Sequence, residues 1–195
     1  MSGSGKPDYR HKGQVSREQR ESLNAQRGQV LWLTGLSGSG KSTLAFALEA
    51  RLYKLQRRCV VLDGDSLRGG LCADLGFTPD NRHENLRRAA EVAKLFAESG
   101  LICIAAFISP TSRDRAMVRD IVGANDFSEV YLNCSLQVCE ARDVKGLYRR
   151  ARAGEIADFT GITSPYEPPQ QPTLTLMTSS LSIEDCVQQL TECVG

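Results

Sequence analysis

Val30-Leu31-Trp32-Leu33 followed by Gly35-Leu36-Ser37-Gly38-Ser39-Gly40-Lys41-Ser42 is the stretch that decides the fold. The octet fits the phosphate-binding loop pattern: a glycine, four free positions, Gly-Lys, then Ser or Thr. Glycines let the backbone curl around a phosphate with its N–H groups turned inward, at the positive end of the helix that follows. Lys41 would reach the outer phosphates and the Ser42 hydroxyl would hold Mg²⁺. A flexible Gly/Ser turn is the competing reading. A chance match in a chain of this length has odds of roughly 1 in 100 at ordinary residue frequencies. Context also argues against a plain turn. The apolar run before the octet reads as a buried strand. From Thr43 to Gln56, Leu44, Phe46, Ala47, Leu48, Leu52 and Leu55 form a helical apolar stripe.

Outward from that core, the rest of the chain repeats the same alternation. Cys59-Val60-Val61-Leu62 predicts a second strand ending in Asp63-Gly64-Asp65, and Asp80 to Arg88 leads into a helix with Leu86, Ala90, Ala93, Leu95 and Phe96 on its apolar face, closed by Gly100. Leu101 to Ile108 is a continuously apolar third strand, as in a parallel sheet covered on both sides. Residues 112–122 read as a helix, Val130-Tyr131-Leu132 as a strand, and 136–142 as a short helix. Leu174-Thr175-Leu176 is the fifth strand, and Ser182 caps a last helix from Ile183 to about Cys193. The fold class is therefore α/β, a three-layer α/β/α arrangement of the P-loop kinase type with a central five-stranded parallel sheet. Ligands are expected beyond the carboxyl ends of the strands.

Residues 143–172 break the rhythm, with five basic residues from Arg142 to Arg152 and then Gly, Pro and Tyr. Such a stretch inside a domain reads as a lid or binding loop; its expected extent is about 143–165. Residues 28–195 are read as one domain. Residues 1–27 are read as a tail, disordered to about residue 14, with a short helix from Ser16 to about Asn24.

The composition, 41% hydrophobic and 24% charged in 195 residues, is that of an ordinary globular domain. A net charge of +1 gives no argument for nucleic-acid or membrane partners. No apolar run reaches the ~18 residues of a membrane span, and no signal core opens the chain, so a cytoplasmic location is expected. The seven cysteines are scattered, several of them in apolar runs, and read as small core residues in a reduced protein.

Phosphoryl transfer needs positioned phosphates, neutralised charge and a group that orients the nucleophile. Asp63 and Asp65, at a strand end beside the loop, are the acidic candidates for the Mg²⁺ shell or for accepting a hydroxyl proton. A simple Asp-Gly-Asp turn is the alternative. Arg82, Asn85, Arg87 and Arg88 open a helix, with Arg68 upstream, and suit an anionic substrate. For Arg87 and Arg88 a solvated helix face paired to Glu84 and Glu91 is as good a reading. Phe77, in Gly-Phe-Thr-Pro, is either a core plug or a ring for a base to stack on. His11 and His83 have no partner spacing and receive no role.

With these residues in view the chain resembles the adenylylsulfate kinases over nearly its whole length. The resemblance rests on Gly35–Thr43, Leu62-Asp63-Gly64-Asp65, Asp74-Leu75-Gly76-Phe77, Arg82, Glu84-Asn85-Leu86-Arg87-Arg88 and Ala106-Phe107-Ile108-Ser109-Pro110. It continues through Lys145-Gly146-Leu147-Tyr148, Ala151–Ile156 and Phe159-Thr160-Gly161-Ile162. It implies phosphorylation of the ribose 3′-hydroxyl of adenosine 5′-phosphosulfate by MgATP in sulfate assimilation, by a homodimer. ATP would lie on Gly35, Leu36, Ser37, Gly38, Ser39, Gly40, Lys41, Ser42 and Thr43, with Arg142 packed on its adenine. Phe77 and Phe159 would enclose the substrate adenine. Arg68, Arg82 and Asn85 would hold the phosphosulfate, and Ile108, Ser109, Lys145, Gly146 and Leu147 would line the pocket. Lys41, Asp63 and Ser109 are the implied catalytic residues. Mg²⁺ would be held by Ser42 and, through water, by Asp63, and Asp65 would lie near the substrate ribose. Ser66, Gly69 and Val144 depart from the family's usual Asn, His and Pro, but remove no charged catalytic group. Ser109 is expected to position the substrate for direct transfer.

Two other readings stay open on the residues alone. One is a kinase of another small hydroxylated metabolite, which has no need of two aromatic rings around a base. The other is a silent nucleotide-binding module, which has no need of Lys41, Asp63 and Asp65. No sulfurylase-like segment accompanies the domain, so a stand-alone kinase is expected.

Overall fold

The computed structural model describes residues 13–195; the predicted disorder of the first residues and His11 fall outside them. Five parallel strands run β1 (Gln29–Thr34), β2 (Cys59–Asp63), β3 (Ile102–Ala106), β4 (Phe127–Asn133) and β5 (Leu174–Met177), in spatial order β2-β3-β1-β4-β5. The helices are α1 (Arg17–Asn24), α2 (Lys41–Lys54), α3 (Gly64–Arg68), α4 (Pro79–Glu98), α5 (Ser112–Val122), α6 (Leu136–Arg142), α7 (Leu147–Arg152) and α8 (Ile183–Val194).

β1 is buried throughout, so hydrophobicity alone does not say which way its side chains point. The period of two does. Leu31 and Leu33 join Ile104, Leu132 and Leu176 under α2 and α8; Val30 and Trp32 join Cys103, Ala105 and Phe107 under α4 and α5. α4 presents Ala89, Ala90, Ala93 and Ala97 to the sheet, small side chains that let the helix lie close. The parallel register aligns Leu33 with Ala106, Asp63 with Ala106, and Thr34 with Tyr131. The carboxyl ends of four strands therefore share one rim.

The helices start where side chains can satisfy exposed N–H groups. Ser16 and Gln19 form a reciprocal capping box on α1, and Thr78, Thr111, Ser135 and Ser182 cap α4, α5, α6 and α8. α1 is then fastened to the body by Arg17, which grips Asp126 and the Gly28 carbonyl.

Several expectations are corrected. Phe46 and Leu55 of α2 and Leu95 of α4 are exposed rather than on the apolar stripe. The buried face of α2 is Leu44, Ala45, Leu48 and Leu52, and Phe46 lies about half a turn away from it. β4 extends back to Phe127 because its polar Glu129 is held by Arg115 at 2.8 Å, a partnership with no local sequence sign. The Asp63 turn opens the short helix α3, with Asp63 as its cap. Within residues 143–172, where a helical and loop lid is expected, α7 forms, and Tyr148, Ala151 and Phe159 join Cys134 and Cys139 in a third apolar cluster against which Leu36 and Ile162 pack. All seven cysteines are free thiols, and five of them are buried.

Candidate active site

The loop between β1 and α2 is built from close backbone packing. Gly35 and Gly38 have φ of 152° and 74°, and a Cβ at Gly38 would stand 2.8 Å from the Cys139 carbonyl oxygen. No other residue type fits there without displacing backbone. Lys41 Nζ folds back to donate to the carbonyls of Gly35 (2.9 Å) and Leu36 (2.7 Å). Burial pushes its ammonium down to about 8, with Asp63 and Asp65 pulling the other way. This is a poorly solvated cation that lacks a strong anionic partner, a state a polyphosphate would relieve. The buried Ser39 Oγ meets no hydrogen-bond partner. Thr43 is exposed in the first turn of α2. Arg142 spans the loop and the end of β5, donating to the carbonyls of Gly38 (3.3 Å) and Thr178 (2.7 Å).

Beside Lys41, the Ser42 hydroxyl donates to Asp63 Oδ1 at 2.5 Å. Asp63 Oδ2 accepts from the Asp65 amide at 3.2 Å. A hydroxyl and a carboxylate, both open to solvent, are hard oxygen donors of the kind Mg²⁺ takes when it keeps waters and shares phosphate oxygens. Among the described residues no group of three or more His, Cys, Asp or Glu side chains could hold a metal alone. The donor set fits a nucleotide-bound Mg²⁺ rather than an all-protein cage. Asp65 forms an ion pair with Lys145 across to the turn before α7. Both side chains are exposed, so the pair is a weak latch.

Across the site, around α3 and the start of α4, the arginines divide into two kinds. Arg87 and Arg88 both clamp Glu84, pulling it down to about 2; Arg88 also holds Asp74, and Arg87 reaches Glu91. Their charges are spent on structure. Arg68 and Arg82 meet no carboxylate among the described residues. Arg82 donates to the carbonyls of Phe77 (2.8 Å) and Asp158 (2.6 Å) and to Thr160 Oγ1 (3.0 Å). Burial, then the charge of Arg68, lower its pKa. Arg68 donates to the carbonyls of Leu75 and Gly76 and lies 4.3 Å over the exposed Phe77 ring. The Arg82 guanidinium thus ties the backbone at Phe77 to the residues on either side of Phe159, at the Asp158 carbonyl and the Thr160 hydroxyl. The Phe159 ring itself is buried against Tyr148. Asn85 is buried and its Oδ1 has no partner. A cleft of about 150 Å³ lies beside Arg82, lined by Pro79, Thr111, Asp158 and Thr160. A larger open groove, about 470 Å³, lies further along the rim between Leu36, Tyr131 and Tyr166, away from the acceptor-side cations.

Ser109 follows β3 with φ of 40°, an uncommon conformation for a residue with a side chain. Its hydroxyl is buried, accepting from Trp32 Nε1 at 3.1 Å and donating to Thr34 Oγ1 at 2.8 Å. Thr34 also donates to the Ile108 carbonyl (2.7 Å), and Arg115 Nη1 donates to the Ser109 carbonyl (2.9 Å). The Ser109 side chain is therefore part of the floor beneath the site. Gly146 caps α7 with φ of 65°, and Leu147 packs on the third cluster.

The sequence reading missed this floor of Trp32, Thr34 and Arg115, together with Tyr166, whose hydroxyl lies 3.0 Å from Thr34 Oγ1. It also missed His83, which pairs with Asp114 at 2.7 Å and pins α4 to α5. The partners are 31 residues apart, so no spacing signals them.

A parallel five-stranded sheet, a glycine loop with a half-buried lysine folded onto it, and a helical segment over the strand ends define a P-loop kinase. Comparison with known proteins narrows the class. The adenylylsulphate kinase family model matches residues 27–177. The adenylyl-sulfate kinase of Acaryochloris marina is 54% identical over 182 residues, covering 93% of this chain and 89% of its own. The structure of the Mycobacterium tuberculosis APS kinase CysC in complex with AMPPNP and APS superposes with a TM-score of 0.82 at 48% identity, covering 86% of this chain and 97% of that one. A gluconokinase from Sinorhizobium meliloti, at 17% identity and a TM-score of 0.55, shares the fold alone. The chain belongs to the adenylylsulfate kinase family.

Proposed function

We propose the following division of labour for the reaction this chain catalyses as a member of its family, phosphorylation of the ribose 3′-hydroxyl of adenosine 5′-phosphosulfate by ATP in sulfate assimilation. The observation that carries it is the pair of guanidiniums, Arg68 and Arg82, left without carboxylates beside the orphaned Asn85 Oδ1. Half-buried cations that meet only neutral oxygens and a ring are undercompensated, and an anionic substrate supplies the missing charge. Phe77 and Phe159 flank its adenine, and Ile108, Lys145, Gly146 and Leu147 complete the wall.

Gly35 to Thr43 cradle the triphosphate and Arg142 packs on the ATP adenine. Lys41 neutralises charge on the transferred group. Ser42 and, through water, Asp63 hold Mg²⁺, which when bound supplies charge neutralisation across the phosphates. Asp63 orients the 3′-hydroxyl and takes its proton, and Asp65 sits near the ribose. The hydroxyl oxygen bonds to the γ-phosphorus as the bond to the ADP oxygen breaks, with no covalent enzyme intermediate. Ser109 contributes through its backbone, since its hydroxyl already has both a donor and an acceptor in the floor. Residues 143–165 act as the lid on a domain spanning 28–195, preceded by the tail 1–27. No helix among the described residues is long and apolar enough to cross a membrane; we place the enzyme in the cytoplasm as a homodimer.

The test is ADP release from MgATP with adenosine 5′-phosphosulfate, against AMP, shikimate and gluconate as acceptors. Turnover with the phosphosulfate alone is expected. Turnover of a control but not of the phosphosulfate would sink the assignment.

A further inference from the structure

We propose that Tyr148 is a positioning residue that couples the donor loop to the acceptor pocket; the inference rests on the substrate reading above and deepens it. The side chain is 1% exposed, fixed by the third apolar cluster. Its phenol Oη donates to the Ser37 carbonyl at 2.8 Å, while its ring meets Phe159 edge-on, 5.0 Å between centroids at 78°. One rigid side chain thus touches the phosphate loop with its tip and the acceptor ring with its edge.

The loop contact has a directional consequence. The Ser37 carbonyl and the Gly38 N–H belong to one planar trans peptide, so they point opposite ways. Holding the carbonyl outward toward α7 turns the Gly38 N–H away from α7, into the loop, where no backbone acceptor among the described residues takes it. Burial raises the phenol's pKa above its ordinary value, so it remains a donor at working pH. The segment carrying Tyr148 is itself aimed: Asp143 accepts from the amides of Tyr148 (3.0 Å) and Arg149 (3.1 Å), fixing the first turn of α7. A nucleotide phosphate that orders the Gly38 amide therefore orders the Ser37 carbonyl, Tyr148 and Phe159 in turn. An acceptor base packed on Phe159 does the reverse. Linkage requires the coupling to be equal in both directions.

The readout is a ratio: the Kd of adenosine 5′-phosphosulfate on free enzyme over its Kd on ADP-loaded enzyme, by titration calorimetry. Tyr148→Phe deletes one hydroxyl and keeps the ring. It should weaken ADP binding about 5-fold, the net worth of one hydrogen bond, and bring the ratio to within about 2-fold of one. Phosphosulfate affinity of the free enzyme should stay unchanged. Phe159→Leu keeps the hydroxyl, and should collapse the ratio while leaving ADP affinity alone intact; it also decides the matter if Tyr148→Phe fails to fold. A wild-type ratio of one, or a wild-type ratio retained in Tyr148→Phe, overturns the proposal. If wild-type enzyme binds ADP but no phosphosulfate, the substrate reading has failed instead. Unchanged ADP binding by Tyr148→Phe then overturns the loop contact on its own.

Discussion

The two halves of the site are built in opposite ways. The donor loop is contiguous, nine residues from Gly35 to Thr43, and its strained glycines and back-folded Lys41 are local backbone geometry. The acceptor half, as proposed, is assembled from segments far apart in the chain, at Arg68, Phe77 to Asn85, Ile108-Ser109 and 145–160, which side chains reaching across tie together. The donor loop's pattern is common to P-loop enzymes in general. Substrate identity has to reside in the other half.

The sharpest attempt to break that contrast removes the donor's charge. Lys41→Ala should lower kcat by roughly 10²–10³-fold, the usual loss for a group that stabilises transition-state charge, with an unchanged melting temperature. Near-normal turnover would remove the loop from the mechanism. A second test uses protonation. Burial pushes the Lys41 ammonium down to about 8 in the free enzyme. A bound phosphate raises that value, so nucleotide binding takes up a proton above pH 8. Affinity should fall as pH rises through 8, by up to about tenfold per pH unit. Calorimetry in buffers of different ionisation enthalpy should show that uptake, and Lys41→Met should abolish it.

A smaller effect is expected at the floor. Ser109→Ala leaves the Trp32 indole and Thr34 hydroxyl short of a partner and should cost about 1–3 kcal/mol of stability, with kcat reduced no more than about tenfold. An isolated phosphoenzyme that passes its phosphate to substrate, together with lost turnover in Ser109→Ala, would show covalent transfer instead. The smallest effect belongs to Arg87. Its charge is spent on Glu84 and Glu91, so Arg87→Ala should leave the phosphosulfate KM within about twofold, since exposed pairs are worth ~1 kcal/mol or less. A tenfold rise would move it into the acceptor site.

Much of this was legible in the sequence where the signal is local. The loop pattern, the strand before it and the helix caps are short-range consequences of glycine, β-branched and hydroxyl residues. The five strands and their alternation with helices followed from apolar runs. Local reading failed where a residue's state depends on a distant partner. Phe46 and Leu95 are apolar yet exposed because helix rotation, not composition, decides the buried face. Glu129 sits inside a strand because Arg115 waits on α5. The division between Arg82 and Arg88, four and ten residues on from Thr78 along one helix, is invisible until Asp74, Glu84, the Asp158 carbonyl and the Thr160 hydroxyl are placed in space. Tyr148 stood inside a quoted motif, but nothing in its neighbours announced Ser37 at the other end of its hydroxyl.

The central claim, that donor and acceptor are recognised by different residues and that Arg68 and Arg82, which meet no carboxylate among the described residues, carry the second, is tested most directly by titrating Arg82→Ala with ADP and with adenosine 5′-phosphosulfate in turn. Loss of a charge-assisted hydrogen bond, ~1.5–3 kcal/mol, predicts phosphosulfate binding weakened roughly 10- to 100-fold with ADP binding within about twofold of wild type. Equal weakening of both ligands, or neither, would contradict the account.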